Sequence, residues 1–140
     1  MDLANASIGQ LLIPVANLEP AVTFYRDILG LQYLFTAPPQ MAFFRCGDIR
    51  LLVGVPAPGQ MHRSSTIYFQ VADIQAVFQT LLGRGVKFAT APHIVHRTPS
   101  SELWLAEFTD PDSNQLSLMS QTAPSVAESG PATGPEQRAR

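Results

Sequence analysis

Residues 15–31 have the sequence VANLEPAVTFYRDILGL, and residues 71–85 repeat its plan with VADIQAVFQTLLGRG. In both stretches a strand end is followed by Asn17 or Asp73, residue types that cap helices, and then by apolar residues at helical spacing. Gly30 and Gly85 end the two predicted helices, because glycine accepts the left-handed conformation common at that position. The repetition predicts two similar structural units.

The sequence on either side predicts one strand before each helix and three strands after it. The first-half strands are IGQLLIPV (8–15), LQYLFTA (31–37), MAFFRC (41–46) and IRLLVGV (49–55). The second-half strands are STIYFQV (65–71), VKFATA (86–91), ELWLAEF (102–108) and NQLSLMS (114–120). A βαβββ unit that occurs twice indicates an α+β fold, with tandem modules pairing into curved mixed sheets around a cleft.

Changes in composition predict the domain organisation. From Gln121 onward the chain has no aromatic residue and repeated Pro and Gly, so it cannot bury enough apolar surface to offset its ordering entropy. We expect a flexible lead-in at 1–7, one domain at 8–120 and a disordered tail at 121–140. Within the domain, the predicted modules are 8–55 and 64–120, joined by a linker at 56–63.

The overall composition excludes several classes of protein. Apolar residues make up 46% of the 140 residues and the formal net charge is −2, which is typical of a globular domain without a nucleic-acid-binding surface. No apolar run is long enough for a membrane span, and the first residues lack the pattern of a secretory signal. The lone Cys46 fits a reducing cytoplasm and a role as a small buried hydrophobe. We therefore expect a cytoplasmic protein.

Two motifs resemble one known superfamily. The stretch 15–31 resembles its opening segment, and FTDPDSNQLSL (108–118) resembles its closing hairpin. This is the vicinal oxygen chelate superfamily of glyoxalases, bleomycin-resistance proteins and extradiol dioxygenases; the likeness covers residues 8–120 and is closest to an uncharacterised glyoxalase-like bacterial branch. We expect the turn Asp110–Asn114 to be solvated and structural, with metal binding by Asp110 or Asp112 as the alternative. Ser113 replaces the usual glycine, so we expect Asn114 to take the left-handed conformation.

The resemblance also implies four metal-ligand positions, and this sequence retains at most one of them. Gln10 occupies the first-strand position of the first half and can serve as a ligand. Thr66 and Ser117 occupy the two positions of the second half and are poor ligands for zinc or iron. The fourth position falls on Arg50 or Leu52, and neither binds a cation. We therefore predict no cofactor, with a divalent metal at a divergent site as the alternative.

Strand alternation predicts which side chains face the cleft. In the first half these side chains include Gln10 and Arg50. A guanidinium on an otherwise aliphatic strand needs a carboxylate partner or an anionic ligand, and an edge-strand arginine that reaches solvent is the alternative for Arg50. In the second half, Leu103 and Leu105 are assigned to the helix side. The second-half residues predicted to face the cleft are Thr66, Tyr68, Gln70, Glu102, Trp104, Phe108, Gln115, Ser117 and Met119. We predict ligand binding by Gln10, Arg50, Thr66, Tyr68, Trp104, Ser117 and Met119, and each aromatic or Met side chain has core or interface packing as its alternative.

The sequence leaves catalysis open. Glu102, His93 and His96 are candidate acid or base groups, with a surface salt bridge as the alternative for Glu102. His93 and His96 are three apart, so an extended strand would send them to opposite faces, and only a turn would bring them together.

Two classes of function compete for this pattern. The first is a metal-free protein that binds a small aromatic or anionic molecule, resembling the bleomycin-resistance proteins. The second is an enzyme, either a lyase or isomerase resembling glyoxalase I, which is a lactoylglutathione lyase, or a dioxygenase-like protein with a divergent metal site. A regulatory domain is compatible with the sequence but not predicted by it. The resemblance also implies a homodimer, with modules paired within one chain or between two chains.

Overall fold

The computed structural model of this chain describes residues 1–59 and 64–124. The chain divides into two compact units, residues 1–65 with 110–114 and residues 66–109 with 115 onward. Each unit contains one four-stranded mixed sheet, and the element order confirms the predicted α+β class with two βαβββ modules. Among the described residues, none of the helices has both the length and the apolar character that a membrane crossing requires.

The first unit contains four strands and a short helix. The elements are β1 (Gln10–Pro14), α1 (Leu18–Val22) continuing into a π-helical turn (Thr23–Ile28), β2 (Gln32–Ala37), β3 (Met41–Cys46) and β4 (Ile49–Gly54). The strand order is β1-β4-β3-β2, with β1 parallel to β4 and the other pairs antiparallel.

One face of the first sheet packs against the helix and forms the core. Ile13, Phe44, Leu51 and Val53 are at most 1% exposed, and the ring of Tyr25 lies 6.0 Å from that of Phe44. On these strands they alternate with residues of the opposite face, which are mostly exposed or half-buried, although Phe43 and Gly54 are buried there. The opposite face of this sheet is therefore partly exposed.

The second unit repeats the arrangement. It contains β5 (Ile67–Gln70), α2 (Ile74–Gly83), β6 (His93–Thr98), β7 (Ser101–Thr109) and β8 (Gln115–Thr122), in the strand order β5-β8-β7-β6. Asp73 caps α2 as predicted, since its side chain accepts a hydrogen bond from Ala76 N at 3.0 Å. Asn17 occupies the equivalent position before α1 but makes no capping hydrogen bond with its side chain.

Two predicted boundaries differ from the structure. The stretch VKFATA (86–91) does not form a strand; its Phe88 makes one isolated bridge with Phe108, and the strand that pairs with β7 is His93–Thr98. The reason is that the ring of Phe88 packs against the rings of Phe78 and Phe108. This segment therefore covers α2 and β7 and does not extend the sheet. At the C-terminal end, β8 continues to Thr122, beyond the predicted domain end at residue 120.

The remaining boundaries stay predictions. Half of the predicted linker at 56–63 and most of the predicted tail at 121–140 lie outside the described residues, as does the third histidine of the sequence, His62.

The turn between β7 and β8 is held together by hydrogen bonds to one buried carboxylate. Asp110 is 4% exposed and accepts hydrogen bonds from Tyr25 Oη at 2.7 Å, from the backbone N of Asp112 and Asn114 at 2.8 Å each, and from Asn114 Nδ2 at 2.8 Å. The turn is therefore structural, but the expectation that its acids are solvated was wrong for Asp110.

The same turn holds the end of β1. Asn114 Nδ2 donates to Pro14 O at 2.8 Å, and Asp112 Oδ1 accepts from Ala16 N at 2.9 Å. Both contacts lie within the first unit. They fix the position at which β1 leaves the sheet, and β1 carries Gln10.

Burial and the neighbouring Asp110 carboxylate raise the pKa of Tyr25 far above its usual value of 10.0, with burial as the larger cause. The phenol therefore stays neutral and donates to Asp110. Since the folded pKa lies above the unfolded one, this contribution to stability is complete below about pH 10 and is lost as the pH rises further.

We predict that Tyr25→Phe lowers the free energy of unfolding by about 1.5–3 kcal/mol, because a buried carboxylate loses a hydrogen-bond donor. The difference between wild type and variant, measured by urea unfolding, should shrink above about pH 10 by up to roughly 1.4 kcal/mol per pH unit. Tyr33→Phe, at a position 37% exposed, is the control for hydroxyl removal, with an expected change below about 0.5 kcal/mol near neutral pH. A Tyr25→Phe difference that is constant with pH contradicts this account.

The left-handed residue of the turn is Ser113, with φ of 67°, and not Asn114 as predicted. A residue with a Cβ is strained in that conformation by about 1 kcal/mol or more, and the Ser113 side chain is exposed. We predict that Ser113→Gly raises the free energy of unfolding by about 0.5–1 kcal/mol, offset in part by the greater freedom of glycine in the unfolded chain. Ser113→Ala, which keeps the strain, is the control and should give no gain; a loss of stability in the glycine variant would show that the serine hydroxyl matters.

Candidate functional site

The face of the first sheet that points away from α1 carries side chains in three rows across the four strands. We call it the open face. The first row is polar and carries two arginines, and we call it the cationic row. The second row is apolar, and we call it the apolar row. The third row lies at the other end of the strands. In the order β1-β4-β3-β2, the rows are Gln10, Arg50, Arg45, Gln32; Leu12, Leu52, Phe43, Phe35; and Pro14, Gly54, Met41, Ala37.

The turn between β3 and β4 sets this alignment. Gly47 and Asp48 form a two-residue connection in which Gly47 has φ of 61°, the conformation that tight hairpin turns require of their first central residue. Because the turn is so short, it fixes the pairing of Cys46 with Ile49 and therefore places Arg45 directly opposite Arg50.

Arg50 is held in place by two contacts on the open face. Its Nε donates to Gln10 Oε1 at 2.8 Å, and its guanidinium carbon lies 4.8 Å from the centroid of the Phe43 ring. A guanidinium over an aromatic face gains an electrostatic attraction of about 0.5–1 kcal/mol at partly exposed sites. The contacts fix the orientation of the charge while leaving Arg50 half-buried.

The apolar row is well packed in its middle and open at its ends. The rings of Phe35 and Phe43 stack with centroids 4.6 Å apart and an angle of 25° between their planes. Phe43 is 8% exposed, whereas Phe35 is 45% and Leu12 is 42% exposed. An apolar row with exposed ends beside a row that carries two arginines is typical of a surface that binds another molecule.

The sequence predicted the face of two of these side chains. Gln10 and Arg50 were expected to face a ligand, and both lie on the open face. Arg45, Phe35 and Phe43 were missed, because their face depends on the pairing of β3 with β4 and on a bulge in β2 between Tyr33 and Phe35. The segment RCGDIR (45–50) carried a usable signal, since a two-residue turn at its centre places its two arginines opposite each other.

The corresponding face of the second sheet carries both exposed and buried side chains. Tyr68 pairs with Ser117, which pairs with Glu107, so these three side chains share one row. Tyr68 is 49% exposed, but Ser117 is fully buried, and its hydroxyl donates to Leu118 O at 2.9 Å and to Ala106 O at 3.3 Å. Met119 lies on the same face, half-buried, and Thr66 is exposed just before β5. Their predicted ligand-binding roles stay predictions.

The predicted face of β7 was wrong. Pairing with β8 places Leu103, Leu105 and Glu107 on the face of Ser117, and it places Glu102, Trp104 and Phe108 on the opposite, helix-side face. The cause is burial of Phe108, which is 1% exposed and packs against Phe88.

Glu102 and Trp104 accordingly have structural contacts on that helix-side face. The carboxylate of Glu102 lies 3.3 Å from Arg97 Nε and its residue is 4% exposed. The indole of Trp104 donates to Thr122 Oγ1 at 3.1 Å. Neither side chain shares a face with Tyr68, Ser117 or Met119.

His93 and His96 lie on a strand and share one face, contrary to the prediction. A bulge between Ile94 and His96 inserts one extra residue, so that His93 pairs with Leu105 and His96 pairs with Leu103. Because of the extra residue, Val95, the side chain of His96 lies on the same face as that of His93, whereas simple alternation would place it on the opposite face. His93 Nδ1 is hydrogen-bonded to Ala91 O at 2.8 Å, and both imidazoles are exposed.

Cys46 ends β3 on the helix-side face, where it pairs with Ile49. It is half-buried, and burial raises the pKa of its thiol. A raised pKa disfavours the nucleophilic thiolate, which agrees with the hydrophobic role expected for this residue.

The side chains at the metal-ligand positions do not fit a metal ion. The carboxamide oxygen of Gln10 already accepts a hydrogen bond from the Arg50 cation, whose charge opposes a second cation at that atom. In the second unit, Ser117 gives its hydroxyl to backbone carbonyl groups, and Thr66 offers only a neutral hydroxyl. Across residues 1–59 and 64–124, no three His, Cys, Asp or Glu side chains are grouped so that they could hold an ion.

Comparison with known proteins identifies the fold. Residues 7–118 match the family model of the Glyoxalase/Bleomycin resistance protein/Dioxygenase superfamily. No curated protein matches the sequence.

Several solved structures are similar to this chain. A lactoylglutathione lyase from Agrobacterium tumefaciens is 20% identical with a TM-score of 0.64, over 82% of this chain and 93% of that protein. An antibiotic-binding protein from Streptomyces sp. CB03234 is 24% identical with a TM-score of 0.70, over 86% of this chain and 100% of that one. A glyoxalase/bleomycin resistance protein from the same organism is 25% identical with a TM-score of 0.63, over 80% of this chain and 98% of that one.

Proposed function

Because this chain belongs to the Glyoxalase/Bleomycin resistance protein/Dioxygenase superfamily, we propose that it binds a small aromatic or anionic molecule on the open face, without the metal site of its metal-dependent relatives. The homodimer and the cytoplasmic location expected from the sequence are part of this proposal. Neither is needed for binding at the open face, which lies within one unit.

The observation that carries the proposal is the pairing of an apolar row with a cationic row on one exposed surface. Leu12, Leu52, Phe43 and Phe35 offer a continuous apolar strip, and the arginines beside it offer hydrogen-bond donors with positive charge. Small-molecule sites combine apolar walls with a few polar groups that orient the ligand. Exposure of the Phe35 ring gives an aromatic ligand a stacking partner, worth about 0.5–1.5 kcal/mol beyond the buried area.

The donor chemistry supports binding without a metal. Gln10 is engaged with Arg50, and the hydroxyls of Thr66 and Ser117 are neutral. Divalent metals of the zinc and iron type bind imidazole, thiolate or carboxylate, and these types are missing from the ligand positions of this chain.

The fold alone does not decide between binding and catalysis, because it is shared with both the antibiotic-binding protein and the lyase. The second candidate function is an enzyme, either a glyoxalase-like lyase or isomerase or a dioxygenase-like protein. One observation favours it, because the bulge in β6 places His93 and His96 on the same face as Glu107. Glu102 is not part of that arrangement, since it lies on the opposite face. Metal-dependent turnover of the glutathione–methylglyoxal hemithioacetal, abolished by His93→Asn, would favour the lyase.

We predict that the neutral aromatic dye N-phenyl-1-naphthylamine binds the wild type with one-to-one stoichiometry in a fluorescence titration. Phe35→Ala should weaken this binding about 5- to 10-fold, because an exposed ring that stacks with the ligand is removed. Leu82→Ala is the matched control, since Leu82 is an exposed apolar residue of α2 with 41% exposure and lies outside the open face. Equal dye affinity for wild type and Phe35→Ala would argue against the open face as the binding surface.

A further inference from the structure

Two arginines face each other on the open face without a carboxylate between them. Arg45 and Arg50 are direct cross-strand partners on β3 and β4. Such partners bring their Cβ atoms to about 4.5–5.5 Å, and like charges at that distance destabilise a sheet.

Among the described residues, no carboxylate forms an ion pair with either arginine. The ion pairs within residues 1–59 and 64–124 are Arg26 with Asp27 and Arg97 with Glu102, so neither arginine of the open face takes part in one. Asp48 lies in the turn between β3 and β4 and is exposed. The formal net charge of the whole chain is −2, so the positive charge here is local and does not reflect a basic protein.

Arg50 is oriented before any ligand arrives. The hydrogen bond to Gln10 uses its Nε, and Phe43 lies against the guanidinium. Within the described part of the chain, Gln10 is the only group that accepts a hydrogen bond from the side chain of Arg50, which leaves its two Nη groups for a ligand. A guanidinium presents N–H groups in a planar fork that matches the two oxygens of a carboxylate, and orientation in advance lowers the entropic cost of binding.

The distance to the apolar row limits the shape of the ligand. Arg50 and Leu52, like Arg45 and Phe43, are two residues apart on one strand, so the cationic and apolar rows are separated by about 6.5–7 Å. A carboxylate attached to a two-ring aromatic body spans a distance of that order. The apolar row extends across all four strands, so a flat ligand body lies along it without leaving the sheet.

We infer that Arg45 and Arg50 together bind the oxyanion of an aromatic carboxylate or sulfonate, whose flat body lies on the apolar row. This inference rests on the proposed function, because it assigns a chemical class of ligand to the same face. The two guanidinium groups supply the positive charge that a metal ion supplies in the metal-dependent relatives. Gln10 acts as a positioning residue for Arg50.

The test compares 2-naphthoate with its neutral analogue 2-naphthamide by isothermal titration calorimetry. The wild type should bind 2-naphthoate at least about 10-fold more tightly than 2-naphthamide, because charge-assisted hydrogen bonds are roughly twice as strong as neutral ones. Arg45→Gln and Arg50→Gln should each weaken 2-naphthoate about 5-fold or more and change 2-naphthamide less than about 2-fold. Phe35→Ala should weaken both compounds.

Two further variants separate specific recognition from general electrostatics and from misfolding. Arg26→Gln removes the same charge from an exposed position where Arg26 pairs with Asp27, and it should leave both affinities unchanged. Arg50→Lys keeps the charge but loses the planar fork, so it should recover only part of the 2-naphthoate affinity. Thermal unfolding of each variant identifies any loss that comes from the fold.

The outcomes distinguish this inference from the proposed function. Equal affinity for the two compounds, or folded Arg45→Gln and Arg50→Gln variants that bind 2-naphthoate like the wild type, would overturn the inference and leave aromatic binding in place. If the wild type binds neither compound nor the neutral dye, the proposed function fails and the inference fails with it.

Discussion

The buried carboxylate of Asp110 is the interaction on which the first unit depends. It collects hydrogen bonds from the Tyr25 hydroxyl, from two backbone N–H groups of its own turn and from the Asn114 carboxamide. A buried carboxylate is costly unless its oxygens are fully hydrogen-bonded, so the turn, the helix and the end of β1 are stable only in combination. Asn114 extends this network to Pro14 and thereby fixes where β1 ends.

The open face follows from the register of the strands that this network holds. β1 is paired with β4 so that Gln10 meets Arg50, and the tight turn after β3 brings Arg45 opposite Arg50. A shift of one residue in either pairing would send these side chains to the helix-side face, where they would meet Phe44 and Leu51. The arrangement of side chains on the open face is thus a consequence of backbone geometry, and two short turns determine which residues lie there.

Much of this fold could be predicted from the sequence, because helix caps, helix-ending glycines and alternating strands are local signals. The predicted repeat, the helix after Asp73 and most strands agree with the structure. The face of Trp104 could not be predicted, since it depends on the packing of Phe108. The common face of His93 and His96 could not be predicted either, since it depends on a bulge at Val95. Ser113 and Asp110 differed from expectation for a related reason: the buried network, which involves distant Tyr25, determines the conformation of the turn.

The central claim is that arginine side chains, and not a metal ion, supply the positive charge at the site. Elemental analysis of untagged protein purified without chelators, covering Zn, Ni, Fe, Mn and Co, tests this claim most directly. We expect a metal content far below one atom per chain, because Gln10 is engaged with Arg50 and the two ligand positions of the second unit carry neutral hydroxyls. Near-stoichiometric metal that survives dialysis would contradict the account and direct attention to His93, His96 and Glu107.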